Sequence, residues 1–342
     1  MDSITQAALG ACVQGALLGR WQGRKALLYG ALLGTLPDLD VLIDYGDAVA
    51  NMTLHRSFSH SLLVTSGAAA VLAWLVRRFR PHPDYSAWRL FATLWLVLVT
   101  HILLDAFTGY GTQLLWPLHR TPVAWSTLFI VDPLYTLPLL AVLVIGLIKG
   151  QRQHLYSVAL MLSSLYLAFT VVGKFMVEQR VEQMLASHDL HPQAVFSTPT
   201  PFNSLLWRVV LVDGDDYHEA LIGWFDNSPP QSVRLPRGTQ LAAALADSPQ
   251  HAQLRWFTSD LLRYDEIKGQ LVVTDLRLGM TGFHPFRFPL ADRHNEYWQL
   301  IPHSERLPFG HVDPLRLKLL WTRIWNQDQS LPLTEWAADL HH

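Results

Sequence analysis

Four stretches of this chain, Ser61 to Val76, Leu90 to Leu104, Pro133 to Ile148 and Leu155 to Gly173, carry no formal charge when His101 is counted as neutral. With their flanks, each reaches or approaches the length that crosses a bilayer as a helix, the conformation that satisfies every backbone N–H and C=O inside its own segment. Two shorter apolar runs, Ser3 to Gly19 and Ala26 to Pro37, come first. They read as short spans, re-entrant pieces or helices packed inside a bundle. The amino end shows neither a basic n-region nor a cleavage site, so a cleaved signal peptide is not expected. The expectation for residues 1–175 is therefore an α-helical integral membrane bundle.

The pattern changes after Gly173. Lys174 to His188 reads as a helix leaving the membrane, and Pro192 to Pro201 as a linker rich in Pro, Ser and Thr, so residues 176–200 are assigned to helix and linker. Beyond them, Trp207 to Asp213, Ala220 to Phe225, Gln270 to Arg277 and Phe286 to Pro289 have strand character. Residues 201–342 are thus expected to form a soluble, mostly-β domain of α+β type.

Composition narrows the function. The 342 residues are 50% hydrophobic and 16% charged, with a net charge of -2. No basic patch with interleaved aromatics is present, which argues against a nucleic-acid partner. Cys12 is the single cysteine, so a disulfide within the chain and a Cys-based zinc site are both excluded. Basic residues cluster in three turns: Arg20, Arg24 and Lys25; Arg77, Arg78, Arg80 and Arg89; Lys149 and Arg152. If the apolar segments alternate in direction, all three turns fall on one side, which the positive-inside rule makes cytoplasmic. The carboxyl-terminal domain is then external, or periplasmic.

His101 and Asp105 stand four apart near the end of an apolar segment, which places both on one helical face. An imidazole and a carboxylate are costly in hydrocarbon and point to a polar site. The same residue types recur in Leu36-Pro37-Asp38-Leu39-Asp40 and in His55-Arg56-Ser57-Phe58-Ser59-His60-Ser61. Pro37 suggests a bend, and alternate residues of an extended bend point two carboxylates the same way. Ser59 or Ser61 fits as a cap for the helix that follows. Nitrogen and oxygen donors gathered from three segments suit a hard or borderline divalent cation. Each pair also has a simpler reading: a capping turn with solvated acids, an interfacial loop, or a hydrogen-bonded staple between helices. Asp132, followed by Pro133, reads as a helix cap, and His119 with Arg120 as loop residues on the site side.

The segments Met1-Asp-Ser-Ile-Thr-Gln6-Ala-Ala-Leu-Gly10, Gly34-Thr-Leu-Pro-Asp-Leu-Asp40, His55 to Ser61 and Thr100-His-Ile-Leu-Leu-Asp105 resemble the YdjM-type family of inner-membrane-associated proteins, described as metal-dependent hydrolases. The resemblance covers the first third of the chain, and more weakly Asp132-Pro133, Pro201-Phe-Asn203 and Trp207-Arg208. It implies that Asp38, Asp40, His55, His60, His101 and Asp105 are the metal-binding positions. The His-x-x-x-Asp element also resembles that of zinc-dependent phospholipase C and related single-strand nucleases, which implies phosphoester hydrolysis. The chain departs from the family pattern at Gln6, where a histidine is usual.

The expected function is a membrane-embedded metal-dependent hydrolase acting on a phosphoester or lipid-linked substrate at the external face. One or two divalent ions, zinc by donor type, would lower the pKa of a bound water, with Asp38 or Asp40 as general base and Arg56 stabilising an anionic oxygen. Membrane lipid is the expected partner. The competing expectation is a non-catalytic, membrane-anchored binding or assembly protein whose polar cluster is structural.

Overall fold

The structure is a computed structural model that describes the chain except residues 151, 189, 296, 310–312 and 342. It divides into two compact units, Met1–Ile43 with Arg56–Val171, and Asp44–His55 with Val172–His342.

The first unit is a helical bundle of α1 (Ser3–Gln22), α2 (Lys25–Gly34), α4 (Leu62–Phe79), α5 (Ala87–Ala106), α6 (Pro133–Lys149) and the first part of α7 (Gln153–His188), with α3 (Ala48–Leu54) belonging to the second unit. Among the described residues, α4, α5 and α7 are long and apolar enough to cross a membrane, while α2 and α6 are shorter apolar helices. The caps follow from sequence. Asp2, Ser61 and Asp132 accept hydrogen bonds from the free N–H groups that open α1, α4 and α6. Pro133 occupies the first turn of α6, where a missing N–H costs nothing.

The bundle core contains Leu9, Ala11, Val13, Val97, Leu104, Leu128, Tyr135 and Leu139. Within it, α1 and α2 approach at backbone distance. A Cβ on Gly30 would lie 2.3 Å from the Gly10 carbonyl oxygen, and one on Gly34 would lie 2.7 Å from that of Gln6. Lipid gives helices no hydrophobic reason to associate, so close contact through small residues such as Gly30-x-x-x-Gly34 supplies the packing energy.

The second unit holds two four-stranded antiparallel sheets, ordered β1-β2-β3-β4 and β5-β6-β7-β8. The first comprises β1 (Ala194–Pro199), β2 (Leu206–Asp213), β3 (Asp216–Gly223) and β4 (Ser232–Pro236). The second comprises β5 (Leu262–Ile267), β6 (Gln270–Asp275), β7 (Arg287–His294) and β8 (Tyr297–Leu300), accompanied by α8 (Pro249–Thr258), α9 (Pro314–Trp325) and α10 (Leu333–Ala338). This is the α+β arrangement expected. One stretch differs: Ala194–Pro199, expected within a linker, is the edge strand β1, in register with β2 from Ala194↔Val212 to Pro199↔Trp207. Its Pro, Ser and Thr content suits an edge, where a proline need not donate on the open side.

Central strand β2 is buried almost throughout, which explains its unbroken apolar run. Its one cation, Arg208, is fully buried against Glu219 of β3 (2.9 and 3.0 Å) and donates to the Leu276 carbonyl oxygen at 2.7 Å, tying the two sheets together. Asp44–His55 joins this unit: Gln253 of α8 donates to the Thr53 hydroxyl at 2.6 Å, and Ala48 N–H to the Ser304 carbonyl at 3.0 Å.

The α1–α2 contact predicts that Gly30→Val forces the two backbones apart. Loss of about 1–3 kcal/mol is expected on overpacking grounds, read as a lowered Tm of the detergent-purified protein, whereas Gly67→Ala, in open space, should leave it unchanged.

Candidate metal centre

Three segments deliver the polar groups. The 3-10 turn Pro37–Leu42 after α2 supplies Asp38 and Asp40, the 3-10 turn Phe58–His60 supplies His60, and the last two turns of α5 supply His101 and Asp105. Asp38, His60, His101 and Asp105 each offer one ligand atom, and these four atoms lie within 4.8 Å of one another.

Their spacing is informative. His60 Nε2 and His101 Nε2 are 3.2 Å apart. Asp38 Oδ1 is 3.5 Å from the first and 3.4 Å from the second, and Asp105 Oδ2 is 3.0 and 3.4 Å from them. Donors at about 2.0–2.1 Å from a tetrahedral cation would be about 3.3–3.4 Å apart. Five of the six edges therefore have close to the required length.

The outer contacts set the imidazole tautomers. His101 Nδ1 lies 2.6 Å from the Gly34 carbonyl oxygen, which can only accept, so Nδ1 carries a proton and the neutral ring, the form that ligates a metal, presents its lone pair at Nε2. His60 Nδ1 is 2.9 Å from Ser59 Oγ, whose hydroxyl donates to Asp40 Oδ2. That relay likewise protonates Nδ1 and leaves Nε2 a lone pair. Two lone pairs and two carboxylate oxygens then face one point, an arrangement that repels itself without a cation and matches how metal-ligating histidines are oriented.

Orphaned atoms agree. Asp38 Oδ1 and Gln6 Oε1 are buried without a hydrogen-bond partner. As a carboxylate, Asp38 supplies an anionic donor to the group. The buried Asp/His cluster can bind a metal ion, and the residues present fit one.

Asp105 divides its oxygens. Oδ2 faces the imidazoles, while Oδ1 accepts from Gln6 Nε2 at 3.1 Å, lies 3.3 Å from Arg56 Nη2, and contacts the Met1 amino nitrogen. Arg56 is held in the left-handed region at φ 62°, uncommon for a side-chain-bearing residue. Its N–H donates to Asp40 Oδ2 at 3.0 Å, its carbonyl accepts from Gln113 N–H at 3.0 Å, and its guanidinium lies 4.8 Å from the centroid of the Tyr110 ring. Nη1 reaches the Thr108 hydroxyl at 3.4 Å, and Nε is buried without a partner.

Two sequence expectations change. Asp38 and Asp40 do not lie on an extended bend with parallel carboxylates. Pro37 opens a 3-10 turn, in which residues two apart point about 240° apart. Asp38 joins the donors, and Asp40 caps Arg56 and orients His60. His55 stands at the end of α3, in the second unit, and is outside the four-donor group. Ser61, rather than Ser59, caps α4, and Asp132 caps α6. His119 and Arg120 are exposed loop residues. Thr108, Tyr110 and the Gly34 carbonyl were not anticipated; the signal available for Thr108 was its position three residues beyond Asp105.

Residues 1–177 match the profile of the YdjM inner membrane protein family, more than half of the chain. The chain belongs to that family. It is 24% identical over 308 residues to the uncharacterized protein YfhP of Bacillus subtilis (strain 168), a match covering 84% of this chain and 89% of that protein. It is 35% identical over 117 residues to the inner membrane protein YbcI of Escherichia coli (strain K12), covering 33% of this chain and 66% of that one. No solved structure matches it. The YdjM segment contains every donor of the cluster, and the YfhP match reaches well beyond that segment.

Replacing one imidazole should empty the centre. Elemental analysis of detergent-purified His101→Ala is expected to show the divalent metal of the parent protein lost. Asp40→Asn should bind it about 10–100-fold more weakly, because the orientation of His60 and the hold on the Arg56 backbone are disturbed while all four donors remain. Unaltered metal content in His101→Ala would refute the assignment.

Proposed function

We propose that this YdjM-family protein is a membrane hydrolase with a zinc-type centre, acting on a phosphoester or lipid-linked phosphoester at the external face. The observation that carries the reading is the near-tetrahedral spacing of His60, His101, Asp38 and Asp105. Two imidazole nitrogens and two carboxylate oxygens are the donor set that borderline zinc favours. When bound, such a cation supplies Lewis acidity toward water and toward an anionic scissile group.

The side chains divide the remaining work. Asp38 is the donor with solvent access, its side chain 19% exposed where the other three are essentially buried, so substrate approaches past it. Oδ1 is its donor atom, so Oδ2 is the oxygen left to accept the proton of an attacking water, which would take a fifth position on the cation. Arg56 keeps an unpartnered Nε–H beside the donors, the group suited to an oxygen on which negative charge develops. Asp40 acts through Ser59 on His60 and is a positioning residue. Gln6 holds Asp105 through Oδ1 and so turns Oδ2 toward the imidazoles.

The direction of the site follows from charge. Arg24 Nη2 donates to the Ile148 carbonyl at 3.3 Å and the Arg89 guanidinium lies 4.8 Å from the centroid of the Trp21 ring, so the three basic turns gather at one end of the bundle. The metal cluster lies at the other ends of α1, α2 and α5. With the basic end cytoplasmic, the cluster faces outward. Since α7 starts from the basic end, the chain beyond its apolar length emerges outside.

Two measurements test these readings separately. Metal-loaded protein in mixed micelles is expected to cleave a lipid phosphoester, with Asp38→Asn slowing turnover about 100-fold or more. Absence of cleavage across phosphomonoesters and diesters, with metal bound, would leave a structural cluster instead. For topology, a carboxyl-terminal alkaline phosphatase fusion should be active and a fluorescent protein that matures only in the cytoplasm dark; the reverse pattern overturns the orientation.

A further inference from the structure

The second unit exposes aromatic side chains that its own core does not use. Trp321 and Trp325 of α9 are 59% and 57% exposed, and Phe225, just past β3, is 52% exposed. They form one patch: Phe225 stacks on Trp325 with ring centroids 5.3 Å apart, and Trp321 meets Trp325 edge-on at 6.1 Å. Leu315 and Lys318, also exposed, continue the same stripe of α9. The opposite face, through Leu320 and Ile324, already packs into the unit's interior with Leu206, Leu221 and Met280. The helix is therefore apolar on both sides, and a soluble domain gains nothing from the outer one.

The patch is joined to the part of α7 that carries the last candidate span. Trp224, next to Phe225, lies against Gly173, where a Cβ would come within 3.2 Å of its indole. On either side of Gly173, Val172 and Phe175 are exposed apolar residues of that span. Seven residues on, Arg180 of α7 donates to the carbonyls of Gly223 (3.0 Å) and Asp226 (2.9 Å). The Asp226 carboxylate in turn holds Arg323 of α9 at 2.7 and 2.8 Å, and Arg323 also reaches the Leu221 carbonyl. Two ties about 10 Å apart along α7 thus fix the loop that bears Phe225 and, through Asp226, the helix that bears both tryptophans.

We propose that this aromatic face is a membrane-interface anchor: Phe225, Trp321 and Trp325 seat in the headgroup region of the bilayer that α7 crosses, and hold the carboxyl-terminal domain on the lipid surface. The chemistry fits that occupant. Tryptophan rings favour the level where one edge is apolar and the other wet, and Lys318, beside them, can extend its ammonium toward phosphate while its stem lies on apolar surface. Continuity with the apolar surface of α7 at Val172 and Phe175 argues for lipid over a separate protein partner. The inference is independent of the metal centre and of any catalytic activity.

Full-length protein with Cys12→Ala, carrying an environment-sensitive fluorophore at Thr322→Cys, tests this in vesicles of phosphatidylethanolamine and phosphatidylglycerol. Thr322 borders the patch and its replacement leaves all three rings in place. The expected result is a blue-shifted emission that lipids bearing a shallow nitroxide quench several-fold more than the same label at Lys268→Cys, in the β5–β6 turn. Adding Trp321→Ser and Trp325→Ser should reduce quenching to the Lys268→Cys level. Equal quenching at 322 and 268 overturns the proposal, as does quenching that persists without the tryptophans. A label at 322 shielded from both lipid and aqueous quenchers, with disulfide cross-linking between copies of the unlabelled Thr322→Cys protein, assigns the face to a second chain and overturns it equally.

Discussion

The bundle depends on how it keeps two carboxylates, Asp40 and Asp105, away from water beside two imidazoles, with a third, Asp38, at the solvent edge. Uncompensated, each buried anion would be far more costly than the packing of a helix could offset. The structure answers with layers. Asp105 Oδ1 takes Gln6 and Arg56, and Asp40 takes the Arg56 N–H and Ser59. What remains uncompensated is a set of four donor atoms turned on one point, Asp38 Oδ1, Asp105 Oδ2 and two Nε2 nitrogens. The geometry is that of a place kept for a cation.

Packing elsewhere serves this layer. The carbonyl of Gly34 can hold His101 Nδ1 only because α2 comes close enough to α1 and α5, and that approach relies on Gly10, Gly30 and Gly34 having no side chains. A larger residue there would displace the carbonyl that fixes the tautomer. The left-handed backbone of Arg56 has the same logic. Its N–H and carbonyl are both engaged, by Asp40 and Gln113, so the surrounding hydrogen bonds impose a conformation that the residue alone would avoid.

Legibility in the sequence tracked the range of the interactions. His101 and Asp105 could be paired because helical period is local and the apolar run announced the helix. The strands with long apolar runs, β2 and β6, were visible for the same reason. β1 was not, because Pro192, Pro199 and Pro201 frame Val195, Phe196 and Thr198 and give the stretch the composition of a linker, while its strand state comes from pairing with β2. Asp38-Leu-Asp40 misled in conformation: proline disfavours helix before it but is welcome in the first turn after, and only the second rule applied. His55 was grouped with His60 by proximity in sequence, whereas the chain between them passes from one unit to the other at Arg56. Gly34 contributes a carbonyl, an atom every residue possesses, and no residue type could have signalled it.

Charge sets the size of what the centre can take. Asp38, Asp40 and Asp105 bring three negative charges and Arg56 one positive, and both imidazoles are neutral when their Nε2 atoms ligate. The Met1 amino group beside Asp105 adds one more positive charge when protonated. The deficit of one or two is no more than one divalent cation neutralises. A second divalent ion would leave a buried surplus of at least that size, with Asp105 Oδ1 already occupied by Gln6 and Arg56 and Asp40 Oδ2 by Arg56 and Ser59. In a low-dielectric bundle a surplus of that kind is as costly as the deficit it replaced. Electrostatics and donor supply thus bear the same way on any metal bound there, and Gln6 takes part by holding with its amide N–H an oxygen that a second ion would need.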